Sequence, residues 1–313
     1  MTWPTAKSLK VTSGAVTHAR AKLKESAFIE LNRDCLLPTV YGSKHPIQRW
    51  RDHRLFGVDS SLARLPDSQE LGQAFGWKET SNQNGATGTR YPEARLSVVY
   101  DLLNRIGHDA RLEPSTLGEV ALAIEQLEHL PPGDVVINDR GFSGYVYFAM
   151  VLQRGAHFIG RCSTGSFLAA QEMFGLNRAH QSKGVWLCAP SDQKAECRRL
   201  GRPLKMKVRL PTGELEVLAT SLLEESLYPT EAFLTVYHWR WGHETYYLML
   251  KGRLELENFS GRTVEAVRQD VQGAVLLANL ESVLSEPTQA ALTERSPRQT
   301  QPLQVNRSTA YHA

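Results

Sequence analysis

Short apolar runs, each bounded by polar or turn-forming residues, recur through the first half of the chain and are typical of buried strands. They lie at residues 55–58, 96–100, 134–137 and 157–159. Helical periodicity covers residues 115–130 and 143–154, and Thr116 followed by Glu119 matches a capping box at the first of these helices. Strands that alternate with helices predict an α/β (α+β) fold, with a mixed sheet and flanking helices.

The second half of the chain begins with a different pattern, because three strand-like runs follow one another with no helical pattern between them. They lie at residues 185–189, 204–210 and 215–219, and residues 211–213 (Pro-Thr-Gly) give a turn signal between the last two. This pattern predicts an antiparallel β insertion. Helical patterns then return at residues 229–251 and 263–284.

These patterns divide the chain into four predicted parts. They are a basic helical N-terminal segment (1–50), a core (51–161 and 230–285), a β-rich insertion (162–229) and a polar C-terminal tail (286–313). The tail is expected to be loose because Pro, Gln, Ser and Thr are abundant in it.

Composition narrows the class of protein. The chain has 313 residues, of which 42% are hydrophobic and 22% charged, and this excludes a disordered or fibrous protein. No apolar run approaches the roughly 18 residues of a membrane span, and the first residues form no apolar signal core. We therefore expect no membrane partner and a cytoplasmic location. Four cysteines without a CxxC pair do not suggest a disulfide scaffold.

A zinc site is a remote alternative, because the available spacings fit no common structural zinc site. Its candidate ligands are His157, Cys162, His180, Cys188 and Cys197.

The net charge of +3 is small, but basic residues are concentrated in two regions. Residues 1–54 hold ten Lys or Arg against four acids, and residues 178–209 hold nine against two. The first region is interpreted as a phosphate-facing surface with a helix that Ser13 caps and that runs through Phe28. The second is a solvated face or a nucleic-acid groove, in which Trp186 is a stacking residue or, more simply, a core residue of the insertion.

Four polar side chains are spaced so that an uninterrupted helix would carry them on one face. They are Tyr237, Arg240, Glu244 and Lys251. An ordinary i,i+4 surface salt bridge would explain Arg240 and Glu244. The aromatic neighbours indicate instead a largely buried helix; they are Trp239, Trp241, Tyr246 and Tyr247. Buried charges are costly unless they meet a metal, a counter-ion or a phosphate, so this face is a candidate site.

Two further carboxylates, Asp59 and Asp139, each follow a predicted strand. An Asp in such a place can simply cap a helix or shape a turn. Strand ends also lie along one rim of a sheet, where open α/β sheets place their sites. Together with Glu244, these carboxylates fit a site that holds two divalent cations and cleaves or joins phosphodiesters by in-line displacement. Mg²⁺ suits such an oxygen-only site.

At these residues the sequence resembles a known family, the insertion-sequence DDE transposases, and within it the IS-four family with its Tyr-x2-Arg-x3-Glu-x6-Lys signature. The four places of the signature are occupied by Tyr237, Arg240, Glu244 and Lys251. Residues 139–142 (Asp-Arg-Gly-Phe) look like the second-aspartate motif of the family. The resemblance covers roughly residues 50–282.

Residues 58–61 (Val-Asp-Ser-Ser) look like the first-aspartate motif, with one departure. Family members usually carry Gly or Ala where this chain has Ser60. Asp67 is therefore a rival for the first ligand, although Asp59 is favoured because it ends a predicted strand. The segment before the core is also short for the family, so a truncated copy is a second interpretation.

The resemblance implies an RNase H-like core and cut-and-paste transposition, in which transposon ends are cleaved and transferred to a target. It does not decide whether a hairpin forms on the transposon end as an intermediate. The implied ligands of two Mg²⁺ ions, for which Mn²⁺ can substitute, are Asp59, Asp139 and Glu244. The implied DNA contacts are Tyr237, Arg240 and Lys251. The implied partners are double-stranded DNA, as terminal inverted repeats and as target, and a second copy in a synaptic homodimer. Two alternatives stay open, an inactive DNA-binding remnant and an RNase H-like nuclease without strand transfer.

Overall fold

The structure is a computed structural model, and it describes residues 11–42, 47–80, 88–176, 182–187, 203–207 and 216–295. The strands in these ranges are β1 (Leu55–Arg64), β2 (Trp77–Glu79), β3 (Arg90–Asp101), β4 (Ile106–Pro114), β5 (Val135–Asn138), β6 (His157–Cys162), β7 (Ser182–Trp186), β8 (Pro203–Lys207) and β9 (Val217–Thr220). The helices are α1 (Ser13–Arg20), α2 (Glu25–Glu30), α3 (Leu37–Gly42), α4 (Gln69–Phe75), α5 (Glu119–Gln126), α6 (Tyr145–Gln153), α7 (Leu168–Gly175), α8 (Ala232–His238), α9 (Trp241–Leu248) and α10 (Val264–Arg295).

One mixed sheet organises the described chain, in the order β2-β3-β1-β5-β6-β9-β8-β7. Strand β4 lies outside this order and pairs with β3. Strands β1, β5 and β6 are parallel neighbours, and β3 and β4 run antiparallel on the other side of β1. The predicted mixed sheet with flanking helices is confirmed. All four predicted core strands are present.

The sheet is buried on both faces, and this explains why its central strands read as continuous apolar runs. Leu55 and Val135 pack on the face that α8, α9 and α10 cover, whereas their neighbours Phe56 and Val136 pack on the face that α5 and α6 cover. Side chains alternate between the two faces along a strand, so each short apolar run contributes side chains to both hydrophobic layers.

The β insertion extends the core sheet. Strand β9 pairs antiparallel with β6, β8 with β9, and β7 with β8, as the antiparallel prediction requires. Trp186, at the end of β7, is 65% exposed, so its interpretation as a core residue is wrong. The predicted turn at residues 211–213 lies outside the described residues.

The predicted N-terminal helix is interrupted. Thr12, and not Ser13, caps α1, because its side-chain oxygen accepts a hydrogen bond from the N–H of Ala15 at 3.2 Å. The helix ends at Arg20, and Phe28 belongs to a second helix, α2.

The N-terminal segment is docked on the last helix of the described chain. Arg20 donates to Asp270 at 2.8 Å and to Gln269 at 3.0 Å. The Gln269 amide in turn donates to the carbonyl of Leu23, in the break between α1 and α2. The segment was interpreted as a phosphate-facing surface, but the charge of Arg20 is used inside the molecule.

The capping-box prediction at Thr116 is wrong. The helix begins at Glu119 with Gly118 in the N-cap position and no side-chain cap. Glu119 instead accepts hydrogen bonds from Ser60 and Arg95, which belong to two strands of the sheet. Glu119 matched the helix-start pattern in the sequence, but its partners are distant residues of the sheet and not the helix N-terminus.

The C-terminal helix is longer than the pattern indicates. It continues past Leu284 and through Pro287 to Arg295, so the first ten residues of the predicted tail are helical. The rest of that tail, residues 296–313, lies outside the described residues. A search of the described helices finds none long and apolar enough to cross a membrane.

Candidate active site

The register of β1 and β5 places Asp59 and Asp139 side by side. These parallel strands are paired up to Gly57 and Ile137, and two further residues along each strand reach 57 + 2 = 59 and 137 + 2 = 139. Asp139 follows the end of β5 as predicted, but Asp59 lies inside β1 and not at its end. Strand β1 continues because β3 remains paired with it as far as Arg64.

Asp67, the rival first ligand, is not brought to this rim. It is exposed and lies beyond the end of β1 at Arg64. Five residues of strand separate Asp59 from that end, a distance of roughly 16 Å at the usual rise per residue. The geometry therefore favours Asp59.

Helix α9 brings Glu244 to the site together with Arg240. Arg240 Nη2 donates to Glu244 Oε1 at 2.8 Å, so the expected i,i+4 ion pair is present. It is no ordinary surface pair, because Arg240 is only 8% exposed and its Nε has no hydrogen-bond partner in the described part of the chain. Placing an unpartnered guanidinium N–H away from water is costly, and it marks Arg240 as a group with a further partner to bind.

Tyr237 points at the second aspartate. Its hydroxyl donates to Asp139 Oδ1 at 3.5 Å, and the ring lies 5.9 Å from the Arg240 guanidinium. Burial raises the pKa of Tyr237, so its hydroxyl stays protonated and remains a donor. Tyr237, Arg240 and Asp139 thus form one contiguous group.

Lys251 follows two interruptions of the helix that the sequence predicts. The predicted single helix is broken at residues 239–240, between α8 and α9, and α9 continues into a π-helical turn, Met249–Arg253. These changes of phase turn the Lys251 ammonium toward the carbonyl of Leu62 and to Glu257, whose carboxylate lies 3.2 Å away. Leu62 is three residues beyond Asp59, or about 10 Å along β1. The uninterrupted helix from which one shared face was predicted is therefore not present.

The electrostatics of the rim are dominated by carboxylates. Burial raises the pKa of Asp59 to about 6, and the nearby charges of Glu119 and Asp139 act in the same direction. The Ser60 N–H, which donates to Asp59 Oδ1 at 2.8 Å, and the Arg240 charge oppose that rise. An additional cation at this rim would relieve the cost of the buried carboxylate.

The donor chemistry of Asp59, Asp139 and Glu244 fits a hard cation such as Mg²⁺, because all the available ligands are carboxylate oxygens. As they stand, no three His, Cys, Asp or Glu side chains in the described ranges are arranged to hold an ion, and Glu244 is paired with Arg240. Of the zinc candidates, His157 and Cys162 lie in β6, whereas His180, Cys188 and Cys197 lie outside the described residues.

Two charged groups at this rim escaped the sequence analysis. Strand pairing sets Asn138 beside Gly160, so Arg161 is level with Asp139, and Arg161 forms an ion pair with Glu216 at 3.1 Å. An Arg at the end of an apolar run was the available signal. Glu216 gave none, because its position beside Arg161 depends on the pairing of β6 with β9.

His243 was also missed. It is fully buried, its ring stacks on Tyr247 at 5.1 Å, and burial lowers its pKa to about 3. A Cβ added to Gly57 would lie 2.7 Å from His243 Nδ1, so the glycine lets α9 lie close to β1. Gly57 within an apolar strand pattern was the signal for this close approach.

The chain is similar to known proteins that are described as transposases. Residues 50–280 match the family described as "Transposase DDE domain". The "Putative transposase InsZ" of Escherichia coli (strain K12) is 27% identical over 108 residues, which are 34% of this chain and 35% of that protein. A piggyBac transposase, solved by cryo-EM as a synaptic complex with hairpin DNA, aligns with a TM-score of 0.47 and 10% identity, over 83% of this chain and 51% of that one.

The chain thus matches about a third of the length of its curated relative and about half of the length of the solved one. The family match covers most of this chain and contains Asp59, Asp139 and Glu244. The chain belongs to the family of proteins with a transposase DDE domain.

Proposed function

We propose that this chain is a DNA transposase of the IS-four type, which cleaves and transfers transposon ends by metal-dependent, cut-and-paste chemistry. The observation that carries the proposal is the register of β1 and β5, which sets Asp59 level with Asp139 on the face that α9, the helix of Glu244, covers.

The proposed cofactor is a pair of Mg²⁺ ions held by Asp59, Asp139 and Glu244, with Mn²⁺ as a substitute. Bound there, the ions would activate a water or a 3′-hydroxyl and stabilise the leaving oxygen of the phosphodiester. Glu244 can take part because its carboxylate is 40% exposed and its ion pair with Arg240 is a local i,i+4 contact.

The chain's own donors fit the DNA backbone. Arg240 keeps a buried, unpartnered Nε and would bind the phosphate at the cleaved end. Tyr237 would donate its hydroxyl to that phosphate while it stays near Asp139. Lys251, about 10 Å further along β1, would bind a phosphate of the adjoining duplex. The proposed partners are therefore double-stranded transposon ends and target DNA. A second copy of the chain is a further proposed partner, in a synaptic dimer.

Nicking of supercoiled plasmid in Mg²⁺ or Mn²⁺ tests the proposal. We expect the wild-type chain to nick, and Asp139→Asn and Glu244→Gln to lose the activity while they retain most of their DNA binding. Asp67→Asn is the matched control and should cleave like the wild type, because Asp67 lies beyond the rim. Equal nicking by Asp139→Asn and the wild type would contradict the proposed site.

A pre-cut transposon end separates transposition from simple nuclease activity. A transposase joins that end to a target plasmid, whereas a nuclease on the same fold cuts but joins nothing. A DNA-binding remnant is favoured by one observation, the ion pair that occupies Glu244. It would bind DNA with a salt dependence set by its Lys and Arg contacts and would cut with no divalent ion.

A further inference from the structure

Glu119 lies between the two aspartate motifs, on the opposite side of the sheet from α9. Its Oε1 accepts a hydrogen bond from Ser60 Oγ at 2.8 Å, directly after Asp59. Its Oε2 is 4.0 Å from the point where a Cβ on Gly141 would stand, two residues after Asp139. One carboxylate therefore faces both segments that carry the rim aspartates.

Arg95 completes this group. Its Nη1 contacts both Ser60 Oγ, at 2.7 Å, and the Glu119 carboxylate, and its Nη2 reaches the carbonyl of Ser115 at 3.4 Å. Arg95 is largely buried in strand β3, so it fixes the orientation of Glu119 against the sheet. The ion pair holds the Glu119 carboxylate against the strand of Arg95.

The backbone pairing of β1 with β5 does not extend to the two aspartates. Pairing between β1 and β5 stops at Gly57 and Ile137, before either aspartate is reached. Beyond that point β1 follows β3, and β5 ends at Asn138. Beyond the paired residues, Glu119 accepts a hydrogen bond from the Asp59 segment, through Ser60, and lies beside the Asp139 segment at Gly141.

We propose that Glu119, oriented by Arg95 and bonded to Ser60, is a positioning residue that sets the separation of Asp59 and Asp139 for a shared divalent cation. The inference rests on the proposed function, because it assigns the cation to those aspartates. It also gives a role to Ser60, whose hydroxyl contacts both Glu119, at 2.8 Å, and Arg95, at 2.7 Å. Groups that orient metal ligands typically change metal affinity by about 10- to 100-fold when they are removed.

A measurement of Mn²⁺ binding tests the inference apart from catalysis. The full chain is titrated with Mn²⁺ in the presence of a DNA duplex, and binding is measured as the loss of the electron paramagnetic resonance signal of free Mn²⁺. We expect Glu119→Ala to raise the Mn²⁺ dissociation constant about ten-fold and Ser60→Ala to raise it by a similar factor. The double variant should be no worse than either single one, because both act through one link. Glu125→Ala is the matched control, since Glu125 is an exposed, Arg-paired residue on the same helix.

The outcomes are distinguishable. Wild-type affinity in Glu119→Ala, with Asp139→Asn still impaired, would overturn the positioning role alone. Equal binding by the wild type and Asp139→Asn would overturn the metal site and the inference with it. Weakened binding in Glu125→Ala as well would show a general effect of the helix and would contradict the role of Glu119. A circular dichroism melt of each variant confirms that the fold is retained.

Discussion

Asp59 is the residue on which the candidate chemistry depends most directly. It is partly buried beside two further acids, and burial raises its pKa to about 6 from an ordinary value of 3.8. The folded chain therefore binds a proton at Asp59 between these two pH values, where the unfolded chain has released it. In that interval the free energy of unfolding must fall as the pH rises.

Asp59→Asn tests this linkage in the presence of EDTA. The wild type should lose about 2 kcal/mol of stability between pH 4 and pH 7 through this group, and the variant should not. Thermal melts at pH 4.5 and pH 7.5 would show Asp59→Asn gaining on the wild type only at the higher pH. Asp67→Asn, at an exposed position, serves as the control. A constant difference between wild type and Asp59→Asn across this range would contradict the raised pKa.

Single residues also mark what the sequence could and could not predict about the site. Asp139 was predictable because it follows a buried strand, and strand ends lie along a rim of the sheet. Asp59 was predicted beside it from the apolar run at 55–58, although β1 continues past that run. Glu119 was assigned to a local helix cap, since the spacing to Thr116 is the same whether its partner is local or distant. Its contacts with Ser60 and Arg95 depend on strand pairing, which composition and periodicity do not encode.

At the scale of elements, α9 is seated on β1 through a glycine. Gly57 faces the ring of His243, and that ring is held between Tyr100 and Tyr247. A rigid, buried ring cannot move aside as the end of a flexible side chain would. Any atom added at residue 57 must therefore displace the helix that carries Glu244.

Gly57→Ala should destabilise the chain by about 1–3 kcal/mol, because the new Cβ would stand 2.7 Å from His243 Nδ1. Plasmid nicking should fall with it, since Glu244 moves with the helix. Gly242→Ala is the matched control: its Cβ would meet only Leu102, at an ordinary 3.7 Å, and Ala favours a helix by up to about 1 kcal/mol. Urea unfolding of both variants measures the two changes, and equal stability of Gly57→Ala and the wild type would refute the seating.

Elements were predicted well where burial alone determines them. The core strands are apolar on both faces, so their positions could be read from the sequence, although β1 extends six residues beyond the run at 55–58 because β3 supports it. Helix ends were predicted less well. The break at residues 239–240 carries no Gly or Pro to announce it, and Pro287 lies inside a helix that it was expected to follow.

At the scale of the whole molecule, a buried ion pair joins the start of the core to the strand that leads to Asp139. Arg54 bonds to Asp134 through its backbone and side chain, with the Nε to Oδ2 distance at 3.0 Å. The guanidinium also lies 4.5 Å from the ring of Tyr41, whose hydroxyl donates to the buried Asp101 at 2.9 Å. One polar network thus connects the N-terminal segment with the central sheet.

Asp134→Asn should cost about 3 kcal/mol, because it leaves the Arg54 charge buried without its partner. Asp34→Asn is the control, since the Arg33–Asp34 pair is more than half exposed on both sides and should leave the melting temperature unchanged. Thermal melts at pH 7 compare the two, and similar melting temperatures for both variants would contradict a structural role for the buried pair.

The docking of the N-terminal segment has a consequence for anyone who wishes to retarget the protein. Residues 11–42 are bound to α10 through Arg20 and through the buried pair of Asn32 and Asn279, whose amide groups lie 2.8 Å apart. Exchanging this segment for a foreign recognition module would remove the partners of Asp270 and Asn279 on α10. A graft should instead be joined ahead of residue 11, so that the native segment remains as a brace between the new module and the sheet.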